Sequence, residues 1–126
     1  MALRLLKLSL ALMVLVVNGC FLFGGKRTAD ANEPVVLTVE NHHWNDVTIS
    51  YVKDGVANRL GVATAASTAY FQIPSHALTS QGIISFMADP VGASSVLRSE
   101  SVSVKAGQGV LWNLERDLRR SVISVH

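Results

Sequence analysis

The chain has 126 residues and a formal net charge of +2, a length that accommodates one domain around one core. Arg4 and Lys7 carry the excess. From Val35 onward Lys53, Arg59, Arg98, Lys105, Arg116, Arg119 and Arg120 are matched by Glu40, Asp46, Asp54, Asp89, Glu100, Glu115 and Asp117. A neutral domain has no electrostatic footprint for nucleic acid, which excludes that partner, and a single cysteine excludes an intrachain disulfide.

Met1 to Cys20 reads MALRLLKLSLALMVLVVNGC. Arg4 and Lys7 precede a run from Leu8 to Val17 that is apolar apart from Ser9, too short for an ordinary spanning helix of about 20 residues. Basic residues, a short apolar run and a small residue before a break read as a secretory signal. Val17-Asn18-Gly19-Cys20 resembles the lipobox of bacterial lipoproteins, although Asn18 stands where small or β-branched residues are commoner. The resemblance implies that residues 1–19 are a cleaved signal peptide and that the Cys20 thiol is diacylated, its new amino group often acylated too. Only a soft, nucleophilic sulfur forms that thioether. Each buried CH₂ contributes about 0.8 kcal/mol, so one chain holds marginally and two or three hold stably. The mature protein is then expected on a membrane surface without spanning it. Phe21 is not the aspartate that retains lipoproteins at the inner membrane in enterobacteria, which favours the outer membrane.

Residues 20–34 are the lipidated cysteine and a tether, FLFGGKRTADANE closed by Pro34, without periodicity at 2 or 3.6. As a flexible chain it spans roughly 20 Å. Residues 35–126 read as short strands punctuated by turns. Val35, Leu37 and Val39 share one face of a first strand ending at Glu40, and Asn41 to Asp46 (NHHWND) is a polar turn. Val47–Val52 alternates again, and Asp54-Gly55, a dipeptide suited to positive φ, turns it into Arg59–Ala63. Thr68–Ile73 is a fourth strand with Ala69, Phe71 and Ile73 on its apolar face. Ser75 to Gly82 is a loop, and Ile83–Ala88 is a fifth strand ended by Asp89-Pro90. Val96 to Val104 is a long sixth whose parity slips, so one extra residue near Ser99 to Ser101 is expected as a β-bulge. Lys105 to Gly109 is a turn, Val110–Glu115 a seventh strand with Val110, Trp112 and Leu114 inward, and Ser121–Val125 an eighth after a charged loop.

Seven or eight short strands at this spacing predict an all-β fold, a single antiparallel β-sandwich. The run VSVKAGQGVLWNL resembles the penultimate hairpin of immunoglobulin-like and fibronectin-like bacterial domains, which implies an immunoglobulin-like sandwich. The run VENHHWNDVTISYVKDGVANRLG is similar to short uncharacterised bacterial lipoproteins, a resemblance that implies no activity.

His42-His43 is the most tempting pair for a metal, but adjacent residues in extended backbone point to opposite faces, and ligands must converge. Asp46 and His76 complete such a site only if two loops meet. Without H-x-H, C-x-x-C or H-E-x-x-H spacing, no metal and no cofactor is expected. The serines from Ser94 to Ser103 include no G-x-S-x-G elbow, and Glu40 and Glu100 fall on outward strand positions, so no catalytic residue is expected. Arg116, Arg119 and Arg120 form a basic cluster that reads as a solvated loop rather than a headgroup site, since stable polybasic binding takes more charges. Trp112 is expected in the core. Trp44 lies outside any alternating run and is expected to cap one end of the core, with His42, His43 and Trp44 held as possible contact residues. The sequence thus points to a non-enzymatic interaction or structural module of the bacterial envelope, anchored through Cys20, with an envelope protein as partner. The alternative is a lipoprotein taking a metal or small molecule through the Asn41–Asp46 loop.

Overall fold

The computed structural model describes residues 33–126; the expected signal peptide, Cys20 and the tether as far as Asn32 lie outside the described residues. Apolar residues at every second position give each strand one face to bury, and strands of that kind are stable only when two such faces meet. The strands are β1 (Val35–Asn41), β2 (Val47–Lys53), β3 (Val56–Ala63), β4 (Ser67–Ile73), β5 (Ile83–Pro90), β6 (Leu97–Arg98), β7 (Val102–Ser103), β8 (Gly109–Leu114) and β9 (Val122–Val125). They form one sheet in the order β4-β1-β8-β9 and a second in the order β3-β2-β5-β6, with β7 also on β5. The fold is an all-β sandwich. Among the described residues no helix is long and apolar enough to cross a membrane.

The expected parities hold. Val35, Leu37, Val39, Val110, Trp112 and Leu114 bury from one sheet, and Val47, Ile49, Tyr51, Ile84, Phe86 and Ala88 from the other. Phe86 and Trp112 meet across the gap with ring centroids 6.0 Å apart and planes tilted by 40°. The β2–β3 hairpin turns through Asp54 at φ 52° and Gly55 at φ 77°, the pair of positive φ values that matches strand twist. On one flank β3 comes against β4 of the opposite sheet: a Cβ on Gly61 would lie 2.7 Å from a ring carbon of Phe71. A side chain at this position would have to push the Phe71 ring aside.

The sixth predicted strand is where the count rises from the expected seven or eight to nine. Met87 pairs with Arg98 and Ile84 with Val102. Ser85 and Phe86 are therefore opposed by Ser99, Glu100 and Ser101, the one extra residue that parity demanded. Ser99 bridges the break. Its N–H donates to the Phe86 carbonyl at 2.8 Å, and its hydroxyl accepts from the Phe86 N–H at 2.8 Å and donates to the Glu100 carbonyl.

Two expectations are corrected. The run VSVKAGQGVLWNL is not a hairpin, because β7 pairs with β5 while β8 pairs with β1 and β9. The turn around Gly107 (φ 77°) carries the chain from one sheet to the other. Nor is the sandwich purely antiparallel, since β1 and β8 pair in parallel from Val36–Gly109 to Asn41–Leu114. Parallel neighbours need a long crossover, which the whole second sheet supplies here. Every other pairing among the strands is antiparallel.

Trp112, 1% exposed, is the largest fully buried side chain among the described residues. Trp112→Ala is expected to cost about 3–5 kcal/mol of unfolding free energy in urea titrations. A loss under about 1 kcal/mol, within the range of surface substitutions, would contradict this core.

Candidate functional site

β1 runs from the chain entry at Val35 to Asn41, so the residues after Asn41 lie about 20 Å from that entry. The alternating strand directions gather four connections at this far end: 42–46, 64–66, 91–96 and 115–121. The opposite end holds the entry, the Asp54-Gly55 turn, the segment with a 3-10 turn at Ser75–Ala77, and the Lys105–Gln108 turn.

Asn41 is not part of a polar turn, as the sequence suggested, but the last residue of β1, 1% exposed. Its Nδ2 lies 3.1 Å from the Asn45 carbonyl, 3.1 Å from that of Ala63 and 3.0 Å from that of Thr64. Two hydrogens serve three acceptors, so one bond is shared. Its Oδ1 accepts the His43 N–H at 2.9 Å, closing an Asx turn. Further bonds complete the fastening. His42 N–H donates to Leu114 O, Val91 N–H to Asp46 O, and Ala65 N–H to Asp46 Oδ1 at 2.9 Å. The 42–46 loop is thus tied to the 64–66 connection, to β8 and to Val91.

What this loop displays is Trp44. It is 70% exposed and does not cap the core as expected; Leu114 and Val47, the core residues at this end of β8 and β2, are already fully buried without it. The Arg116 guanidinium carbon stands 4.2 Å from the centroid of its ring, a cation–π contact worth about 0.5–1 kcal/mol at an exposed site. The basic cluster of the sequence is therefore divided. Arg116 covers Trp44, and Arg119 pairs with Asp117 at 3.2 Å. Asp117 also accepts the Arg119 backbone N–H, and the Arg119 side-chain bond, then the backbone one, holds its carboxyl below the usual carboxylate range. Arg120 lines an open cleft of about 730 Å³ together with Glu40, His42, Glu115, Arg116 and Asp117.

The histidines do not converge. His42 is exposed, with Nε2 3.8 Å from Glu40 Oε2, while His43 Nδ1 accepts the Asn45 N–H at 3.1 Å. His76 lies at the other end of β2 from Asp46, with its Nε2 3.2 Å from the Tyr51 hydroxyl and its carbonyl taking a bond from the Lys53 ammonium. Among the described residues no three His, Cys, Asp or Glu side chains are grouped to hold a metal ion. Glu40 lies on β1, whereas Glu100 lies not on the expected strand but in the break between β6 and β7, where the Ser99 hydroxyl is engaged as well. Cys20 lies outside the described residues.

Sequence reasoning missed the buried role of Asn41 and the contact of Arg116 with Trp44. For Asn41 a signal was present, since it continues the parity of Val35, Leu37 and Val39 onto the buried face. Nothing local pointed to Arg116, which reaches Trp44 only because β1 and β8 are neighbours. Comparison of the chain with protein families, curated proteins and solved structures finds no match.

In the Trp112→Phe background, acrylamide is expected to quench Trp44 fluorescence nearly as fully as free tryptophan. Emission that is blue-shifted and shielded from acrylamide would mean that the ring is covered.

Proposed function

We propose that the protein is a lipid-anchored, non-enzymatic interaction module of the bacterial envelope that works through the Trp44 end of its sandwich. Cys20 in its lipobox-like setting supplies the membrane attachment, with the outer membrane favoured. The carrying observation is a tryptophan 70% exposed on a loop fastened to the 64–66 connection, to β8 and to Val91. An aromatic ring held in that way offers a large contact area with little ordering entropy to lose on binding, the usual profile of an interface anchor. Arg116 beside it adds hydrogen-bond donors and excludes water from one ring face. The chain enters at the other end, so Trp44 lies about 20 Å from the point where the segment carrying Cys20 joins the domain. That geometry favours a protein partner over headgroups for Arg116, Arg119 and Arg120.

The mixed cleft beside this loop favours the ligand-binding alternative less. From the 42–46 loop only His42 reaches it, and its walls mix Glu40, Glu115 and Asp117 with Arg116 and Arg120. Neither a metal ion nor an anion finds one sign of charge there.

Two measurements on the full chain test this reading separately. Radioactive palmitate should label the wild type and leave Cys20→Ser unlabelled; label on Cys20→Ser would end the lipoprotein assignment. Captured from solubilised envelopes, the protein should retain a partner that Trp44→Ala loses, with unfolding stability changed by less than about 1 kcal/mol. Equal retention by Trp44→Ala would remove the Trp44 end from the function.

A further inference from the structure

The two sheets treat their edge strands differently. In the second sheet β3 carries Arg59 and is bulged at Leu60, where the pairing slips between Ile49–Gly61 and Ser50–Arg59. The opposite edge is broken at Ser99 to Ser101, between β6 and β7. Charges and bulges are the ordinary means of stopping an edge from pairing with another chain. In the first sheet β9 has only four residues. β4, STAYFQI, has seven residues, contains no charge and no proline, and keeps an unbroken register with β1 from Ser67 to Ile73. It carries none of those protections.

The direction of its free groups follows from one hydrogen bond. His42 N–H donates to Leu114 O at 2.8 Å, so the even-numbered positions along β1 face β8 and Val35, Leu37, Val39 and Asn41 face β4. Their partners Ile73, Phe71, Ala69 and Ser67 therefore turn N–H and C=O toward β1. Thr68, Tyr70 and Gln72 turn theirs to the open side. The side chains of these same three residues are exposed, Tyr70 by 72%.

We propose that β4 is a dimerisation edge, on which a second copy of this chain adds its own β4 antiparallel about a two-fold axis through Tyr70. That register sets Tyr70 against the partner's Tyr70 and Thr68 against the partner's Gln72. It pairs every outward N–H and C=O of the strand, whereas a slip by two residues leaves a donor and an acceptor unmet at each end. The aromatic and Thr–Gln cross-strand pairs it creates are uncharged. The nearest charge on that face, Glu40, sits beside Thr68 on β1, and the two-fold places the partner's Glu40 at the opposite end of the contact. Such an isologous contact closes at two copies and uses up the edge that would otherwise recruit further strands. It is independent of Cys20 and leaves the Trp44 end of each copy free.

The test is the protein mass of the full chain in detergent, by light scattering with micelle mass subtracted. The wild type should be a dimer. Tyr70→Pro removes an N–H that the monomer does not use, and Tyr70→Lys sets two ammonium groups on the axis; each should halve the mass and leave the circular dichroism spectrum unchanged. Ser124→Lys, on the exposed side of β9, should leave the dimer intact. A wild type that stays monomeric at its highest soluble concentration overturns the proposal. So does a dimer that survives Tyr70→Lys, or one that Ser124→Lys alone abolishes. If Tyr70→Pro fails to fold, Tyr70→Lys decides, since it alters only an exposed side chain.

Discussion

The buried amide of Asn41 is the constraint on which the far end of this molecule depends. A strand that ended in another valine would close the core equally well and leave the chain after it free. Asn41 instead places two donors and an acceptor of a buried amide against the carbonyls of Asn45, Ala63 and Thr64 and the N–H of His43. Left unpaired, a buried polar group such as the Asn41 amide would cost about 1–3 kcal/mol. The bonds therefore stabilise one arrangement of the 42–46 and 64–66 connections and penalise the others. From that arrangement follow the exposure of Trp44 and its meeting with Arg116.

The molecule consequently has two unlike ends. At one, the chain enters through Pro34 beside the Ser75–Ala77 turn and the Lys105–Gln108 turn. At the other, connections from both sheets crowd around Asn41. Under the proposed anchoring through Cys20, this polarity would set the attachment and the Trp44 surface at opposite ends of the domain. Its edges add a second asymmetry, with one sheet protected by bulges and the other carrying an unbroken, uncharged β4.

Much of the fold was legible because period-two alternation is a local signal. Val110, Trp112 and Leu114 announce an inward face without any knowledge of what they face. Asp54-Gly55 encodes its turn in two residues, and the parity slip between Leu97 and Val102 encodes a bulge. What the sequence did not carry is which strands become neighbours. VSVKAGQGVLWNL reads as a hairpin because nothing in it distinguishes a turn within a sheet from a crossing between sheets. The parallel β1–β8 pair is settled by the whole chain's path, and Arg116 reaches Trp44 only as its consequence. Asn41 was misread for a different reason: asparagine is a turn former, and its buried use depends on carbonyls more than twenty residues away.

The central claim is that the Trp44 loop is held rigid by Asn41. Native-state hydrogen exchange of the full chain, read at the His43 N–H, tests it most directly. That amide donates to a buried side-chain oxygen and should exchange as slowly as the paired amides of β1. A His43 N–H exchanging at the rate of an unprotected peptide, while β1 stays protected, would contradict the account.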